Sequence, residues 1–148
     1  MQTQAIVFAI LQNKILLSVI AAGVSCQLLK IIIFILFHKQ NFNIKDLFLT
    51  GGMPSTHSSL VWSLCISIFL TEGLTSSFII SLVLLAIVLR DAMGVRRTAG
   101  EEGHIIHQII KKTNLKIKEF HYSMGHTPMQ VFVGSLIGIL VAMIVYYI

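Results

Sequence analysis

Ile15-Leu16-Leu17-Ser18-Val19-Ile20-Ala21-Ala22-Gly23-Val24-Ser25-Cys26-Gln27-Leu28-Leu29-Lys30-Ile31-Ile32-Ile33-Phe34-Ile35-Leu36-Phe37 is long enough to cross a hydrocarbon core. Gln27 and Lys30 are its only strongly polar members. The rest of the chain repeats the theme: 55% of its 148 residues are hydrophobic and only 11% are charged, so the bilayer is the expected solvent. Further runs follow at Leu74 to Met93 and at Pro128 to Ile148, the last ending in Tyr146-Tyr147 as an interfacial anchor does. Ser58 to Leu70 is short for a span and approaches the needed length only when extended from Pro54 to Glu72. The pattern predicts an all-α, polytopic membrane helical bundle of about four transmembrane helices, one domain over residues 1–148. Residues 1–14 read as a short interfacial helix, and Glu101 to Tyr122 as an amphipathic helix on the surface or an ordered loop.

Charge adds orientation. The net charge of +5 is concentrated in a few polar segments, which suits anionic headgroups and offers no aromatic-interleaved stripe for nucleic acid. Lys39, Lys45, Arg96, Arg97, Lys111, Lys112, Lys116 and Lys118 fall in the connections 38–57 and 94–127, whereas residues 71–77 hold only Glu72. Both basic connections are therefore expected on the cytoplasmic side, with both termini opposite. Cys26 and Cys65 lie in apolar stretches without partners at metal-ligand spacing and read as small buried hydrophobes. No zinc or disulfide is expected, and the N-terminal stretch lacks the features of a signal peptide. Gly134 and Gly138, four apart, permit a close helix approach, within the chain in preference to a homo-oligomer face.

Chemistry concentrates where polar turns meet apolar helices. Gly51-Gly52-Met53-Pro54-Ser55-Thr56-His57-Ser58 combines a flexible turn, a capping hydroxyl and a histidine. Gly125-His126-Thr127-Pro128 repeats the idea, with a threonine cap and proline in the first turn. Helix N-termini of this kind attract anions. Two histidines facing one phosphate can divide the work, one attacking phosphorus and the other protonating the departing oxygen. Arg96 and Arg97 offer planar, permanently charged forks for phosphoryl oxygens. Asp91 either pairs with an arginine or orients a histidine. Arg90 would share a face with Arg97 only if the helix ran on through Gly94. His104 and His107 read as part of a solvated segment, not as a metal site.

These blocks, with Asp91-Ala92-Met93-Gly94-Val95-Arg96-Arg97-Thr98-Ala99-Gly100 between the two histidine motifs, resemble the divergent branch of the type 2 phosphatidic acid phosphatase family, related to acid phosphatases and vanadium haloperoxidases. The resemblance runs from about the first span to the C-terminus. It implies a metal-free, cofactor-free membrane phosphatase or diphosphatase passing through a phosphohistidine, acting on a lipid phosphate or prenyl diphosphate. By that analogy His126 is the nucleophile, His57 the general acid, and Ser55, Arg96 and Arg97 hold phosphate. The wider family's aspartate four residues past the nucleophile is Gln130 here, whose carbonyl can accept an imidazole N–H. Two other readings remain open at this point: a lipid-phosphate-binding or assembly protein whose catalysis has faded, and a metal-dependent lipid phosphotransferase. The second needs several carboxylates, and the chain has six acids, of which only Asp91 is well placed.

Overall fold

The computed structural model describes residues 12–38, 52–113 and 125–148. All regular structure among them is helical: α1 (Lys14–His38), α2 (Thr56–Glu72), α3 (Ser76–Met93), α4 (Val95–Thr113) and α5 (Pro128–Tyr147). The interfacial helix expected at the N-terminus falls largely on residues 1–11, outside the described residues, as do 39–51 and 114–124.

Three stretches are long and apolar enough to cross a membrane: Lys14–Leu36, Ser76–Thr113 and Pro128–Tyr147, with α3 supplying the apolar part of the second. α2 is the element that separates this count from the expected four. Its 17 residues extend about 26 Å, at the short end of what a bilayer core requires. It is also enclosed by its neighbours. No residue from Ser58 to Ile68 is exposed, whereas α1, α3 and α5 turn outward large side chains such as Ile20, Leu28, Ile80, Ile87, Phe132 and Leu140.

A surrounded helix gains nothing from bulk on every side, because lipid is as apolar as leucine and close backbone approach supplies the attraction. The sequence follows this logic. Ser55, Ser59, Ser63 and Ser67 recur at every fourth position and are at most 1% exposed. On α5, Gly134, Gly138 and Ala142 recur at the same interval and are buried. A β-carbon at Gly134 would collide with the Ser55 carbonyl oxygen, and one at Gly138 with that of Ser59. The two backbones therefore touch, with α2 and α5 running parallel. The glycine pair serves packing within the chain, as its spacing suggested.

α1 runs antiparallel to α2. Its face is another small-residue stripe, Ser18, Ala22 and Cys26, each fully buried. Ser59 Oγ donates to the Ala22 carbonyl at 3.2 Å, and Thr56 Oγ1 to Gln27 Oε1 at 3.2 Å, which fixes the register. At the far end the α2–α3 turn reverses at Gly73, whose φ of 74° is left-handed, and Phe69 packs on Phe78 with ring centroids 5.2 Å apart. Lys14 Nζ donates to the Tyr146 carbonyl at 2.7 Å, tying the start of α1 to the end of α5. One end of the bundle thus gathers the C-terminal part of α1, the N-termini of α2 and α5, and the C-terminus of α3.

α3 does not continue straight into α4. The Gly94 N–H closes α3 on the Arg90 carbonyl at 2.8 Å, and the Gly94 carbonyl then accepts from the Arg97 and Thr98 N–H groups at 3.0 Å to open α4. α4 has the expected amphipathic character, exposing Ile105, Ile106 and Ile109 beside Glu101, Glu102, Lys111 and Lys112. It begins at Val95, before the expected Glu101, and the remainder of the expected segment lies outside the described residues.

Candidate active site

The three polar blocks interlock at the gathered end. The Ser55 N–H donates to the Gln130 carbonyl at 3.0 Å, and the His126 N–H to the Ala92 carbonyl at 3.0 Å. Gly125 lies so close to the backbone of Arg96 and Arg97 that a β-carbon there would overlap it. These contacts are all to backbone, so they fix positions without consuming the side chains that carry chemistry. The consequence is that His57 and His126 face one another, with ring centroids 6.3 Å apart and planes tilted by 53°. A single phosphoryl group can reach both.

His126 is only 5% exposed, while His57 is exposed at the mouth. The tautomer of His126 follows from its neighbours. Thr127 caps α5 by accepting from the Gln130 N–H at 3.4 Å, and Gln130 Oε1 accepts in return from the Thr127 N–H at 3.0 Å. A backbone N–H can only donate, so the Gln130 atom facing it is the oxygen. That oxygen also lies 3.3 Å from His126 Nδ1. Nδ1 must then carry the proton, and Nε2 presents a lone pair.

Electrostatics favour the neutral form of both rings. Burial pushes the His126 pKa below its ordinary 6.5; the Gln130 hydrogen bond opposes this, and the charges of Lys30, His57 and Arg96 add to it. His57 is lowered first by burial, then by Arg96 and Lys30, with Asp91 opposing. Both shifts favour uncharged imidazoles at neutral pH.

The remaining candidates take up different positions. Arg96 Nε donates to Asp91 Oδ2 in an ion pair, and its charge reaches both imidazoles. Arg97 Nε turns along α4 to Glu101 Oε1 at 3.0 Å. Ser55 is fully buried as the N-cap of α2, its Oγ accepting from the Ser58 N–H at 3.4 Å and the Ser58 hydroxyl at 3.0 Å. Its Oγ is held within α2, while its backbone N–H ties α2 to α5. Arg90, on the other side of the break at Gly94, lines a shallow groove with Val95, Thr98 and Glu102. Among the described residues, no three His, Cys, Asp or Glu side chains gather as a metal-binding set. Two features escape a reading of the motifs alone: the serine stripe of α2, visible as serine at every fourth residue, and Lys30, visible as the lone cation of the first span.

Comparison with known proteins identifies the family. Residues 11–141 match the family described as Divergent PAP2 family. The chain is 35% identical to the "Uncharacterized membrane protein YuiD" of Bacillus subtilis (strain 168), over 93% of this chain and 97% of that protein. No solved structure matches.

Proposed function

Because the chain belongs to the Divergent PAP2 family, we propose that it is a metal-independent membrane phosphatase hydrolysing a lipid phosphomonoester or isoprenoid diphosphate through a phosphohistidine on His126. The observation that carries this reading is the facing pair His57 and His126, 6.3 Å apart, with Nε2 of His126 left unprotonated by the Gln130 clamp.

His126 Nε2 attacks phosphorus, and the bond from phosphorus to the leaving oxygen breaks. His57, protonated when the anionic substrate raises its pKa, gives that oxygen its proton. Water then attacks the phosphohistidine with His57 taking its proton, which releases phosphate and restores neutral His126. Arg96 is the better supported phosphate ligand of the two arginines, because its charge reaches both rings. Arg97 and Ser55 act from behind it, through the backbone contacts that seat Gly125 and Gln130. Asp91 holds the Arg96 fork, and the carbonyl of Gln130 serves where relatives in the wider family use a carboxylate. An apolar tail lying against the bundle brings the headgroup to the mouth without leaving the bilayer. The basic residues of the connections 38–57 and 94–127 support a cytoplasmic face for the site.

The test is phosphate release by the detergent-purified chain in EDTA from phosphatidate, phosphatidylglycerol phosphate and prenyl diphosphates. Wild type should release phosphate from at least one of them, and His126→Ala should lower that rate by about a thousandfold or more. Full turnover by His126→Ala, or wild-type turnover that requires a divalent cation, would refute the proposal.

A further inference from the structure

We propose that the elbow between α3 and α4 is a second binding site, separate from the histidine pair, for a membrane phospholipid with a phosphoethanolamine headgroup: its phosphate meets Arg90 and its ammonium meets Glu102. On α3 the exposed residues Ile80, Val83 and Ile87 share one arc with Arg90, which is also exposed. That arc faces lipid and ends in a cation. At Gly94 the helix breaks, and a groove of about 510 Å³ opens there, with Arg90 and Gly94 on one side and Val95, Thr98, Ala99 and Glu102 on the other. The last four lie on one face of α4, which the exposed Ile105, Ile106 and Ile109 continue. Arg96 and Arg97 leave α4 on other sides, toward Asp91 and Glu101. Two lipid-facing apolar surfaces therefore meet at a groove that holds one cation and one anion.

Charge and position select the occupant. Arg90 lies in the last turn of a membrane span, where its stem carries the guanidinium to headgroup level and its planar fork suits two phosphate oxygens. Glu102 stands on the opposite wall, on the face of α4 that is otherwise apolar. Neither belongs to the ion pairs found among the described residues, Asp91–Arg96 and Arg97–Glu101. A free phosphate would leave Glu102 unmatched, and a purely anionic headgroup would meet it as a like charge. A lipid with a phosphodiester and a primary ammonium satisfies both groups, its acyl chains lying along the Ile80–Ile87 arc. Seated there, it ties together the two helices that carry Asp91 and Arg96.

The experiment is native mass spectrometry of the full chain released from detergent micelles and titrated with phosphatidylethanolamine, phosphatidylglycerol or phosphatidylcholine. The second lipid has no cation for Glu102, and the ammonium of the third cannot donate a hydrogen bond. Wild type should bind phosphatidylethanolamine about fivefold more tightly than either, the size of one exposed charge-assisted contact. Arg90→Gln should weaken all three lipids by a similar factor. Glu102→Gln should abolish the preference for phosphatidylethanolamine while phosphatidylglycerol binds at least as well as before. A second measurement needs no variant: phosphatidylethanolamine with a photoreactive group high on one acyl chain should label wild type within residues 80–109, in preference to the segments bearing His57 and His126. Equal binding of the three lipids by wild type overturns the assignment, as does undiminished binding by Arg90→Gln or an unchanged preference in Glu102→Gln. A label confined to the histidine segments overturns it as well.

Discussion

Gln130 illustrates how much one side chain can decide. As the third residue of α5 it completes the capping box with Thr127, and the same oxygen fixes which nitrogen of His126 is free. Gln130→Glu keeps the cap, since glutamate serves equally in a capping box, but places a carboxylate beside Nδ1. We expect the His126 pKa to rise and the acid limb of kcat/KM to move to higher pH; an unmoved limb would mean that the contact is not made in solution. The proposed mechanism needs His126 neutral and His57 protonated, and both pKa values are pushed below the ordinary 6.5. The maximum of kcat/KM should therefore fall on the acid side of 6.5, as a pH series would show. Stability follows the same sign. A histidine held below its unfolded pKa makes the unfolded state bind more protons as pH falls, so the folded chain loses stability from about pH 6.5 downward. The motif histidines were legible from sequence because each sits at a helix boundary marked by glycine, proline or a capping hydroxyl, whereas Asp91 could be read either as an arginine's partner or as a histidine's, and the structure pairs it with Arg96. The packing partners of each helix were not legible, since helix spacing shows which face a residue occupies but not which neighbouring helix lies against it.

At the scale of elements, the contact between α2 and α5 carries the site. Ser55 and Ser59 give their carbonyl edges to Gly134 and Gly138, and the same stretch of backbone holds His57 and Gln130 in register. Gly138→Ala must push the helices apart and should cost about 1–3 kcal/mol, read as a lower thermal midpoint in detergent, with a loss of turnover beyond the loss of fold. Ser59→Ala removes the hydroxyl's bonds to the Ala22 carbonyl and the Cys26 thiol without moving backbone, and should cost about 1 kcal/mol. Equal effects from the two substitutions would contradict backbone contact at Gly138. The glycine spacing was readable in the sequence; the partner was not. α2 looked like a short span because its hydrophobic run is brief, and the reason is packing: serines replace bulk where helices surround it.

For the molecule as a whole, the topology brings every candidate group to one end and the Glu72–Ser76 turn, with the chain's two outer helix ends, to the other. The two native cysteines are buried, at 0% and 1% exposure, so they give a quiet background for accessibility labelling. In intact cells a membrane-impermeant maleimide should label Leu74→Cys and should reach Thr113→Cys only after permeabilisation; the reverse order would put the site on the outer face. The central claim is covalent chemistry at His126, and the direct measurement is trapping of a phosphoenzyme. The purified chain, mixed with a phosphate-labelled lipid substrate in EDTA and quenched in alkali, should carry an acid-labile, alkali-stable label on His126 that His126→Asn lacks. Lipid-phosphate turnover with no labelled histidine under those conditions, or a label that persists in His126→Asn, would contradict it.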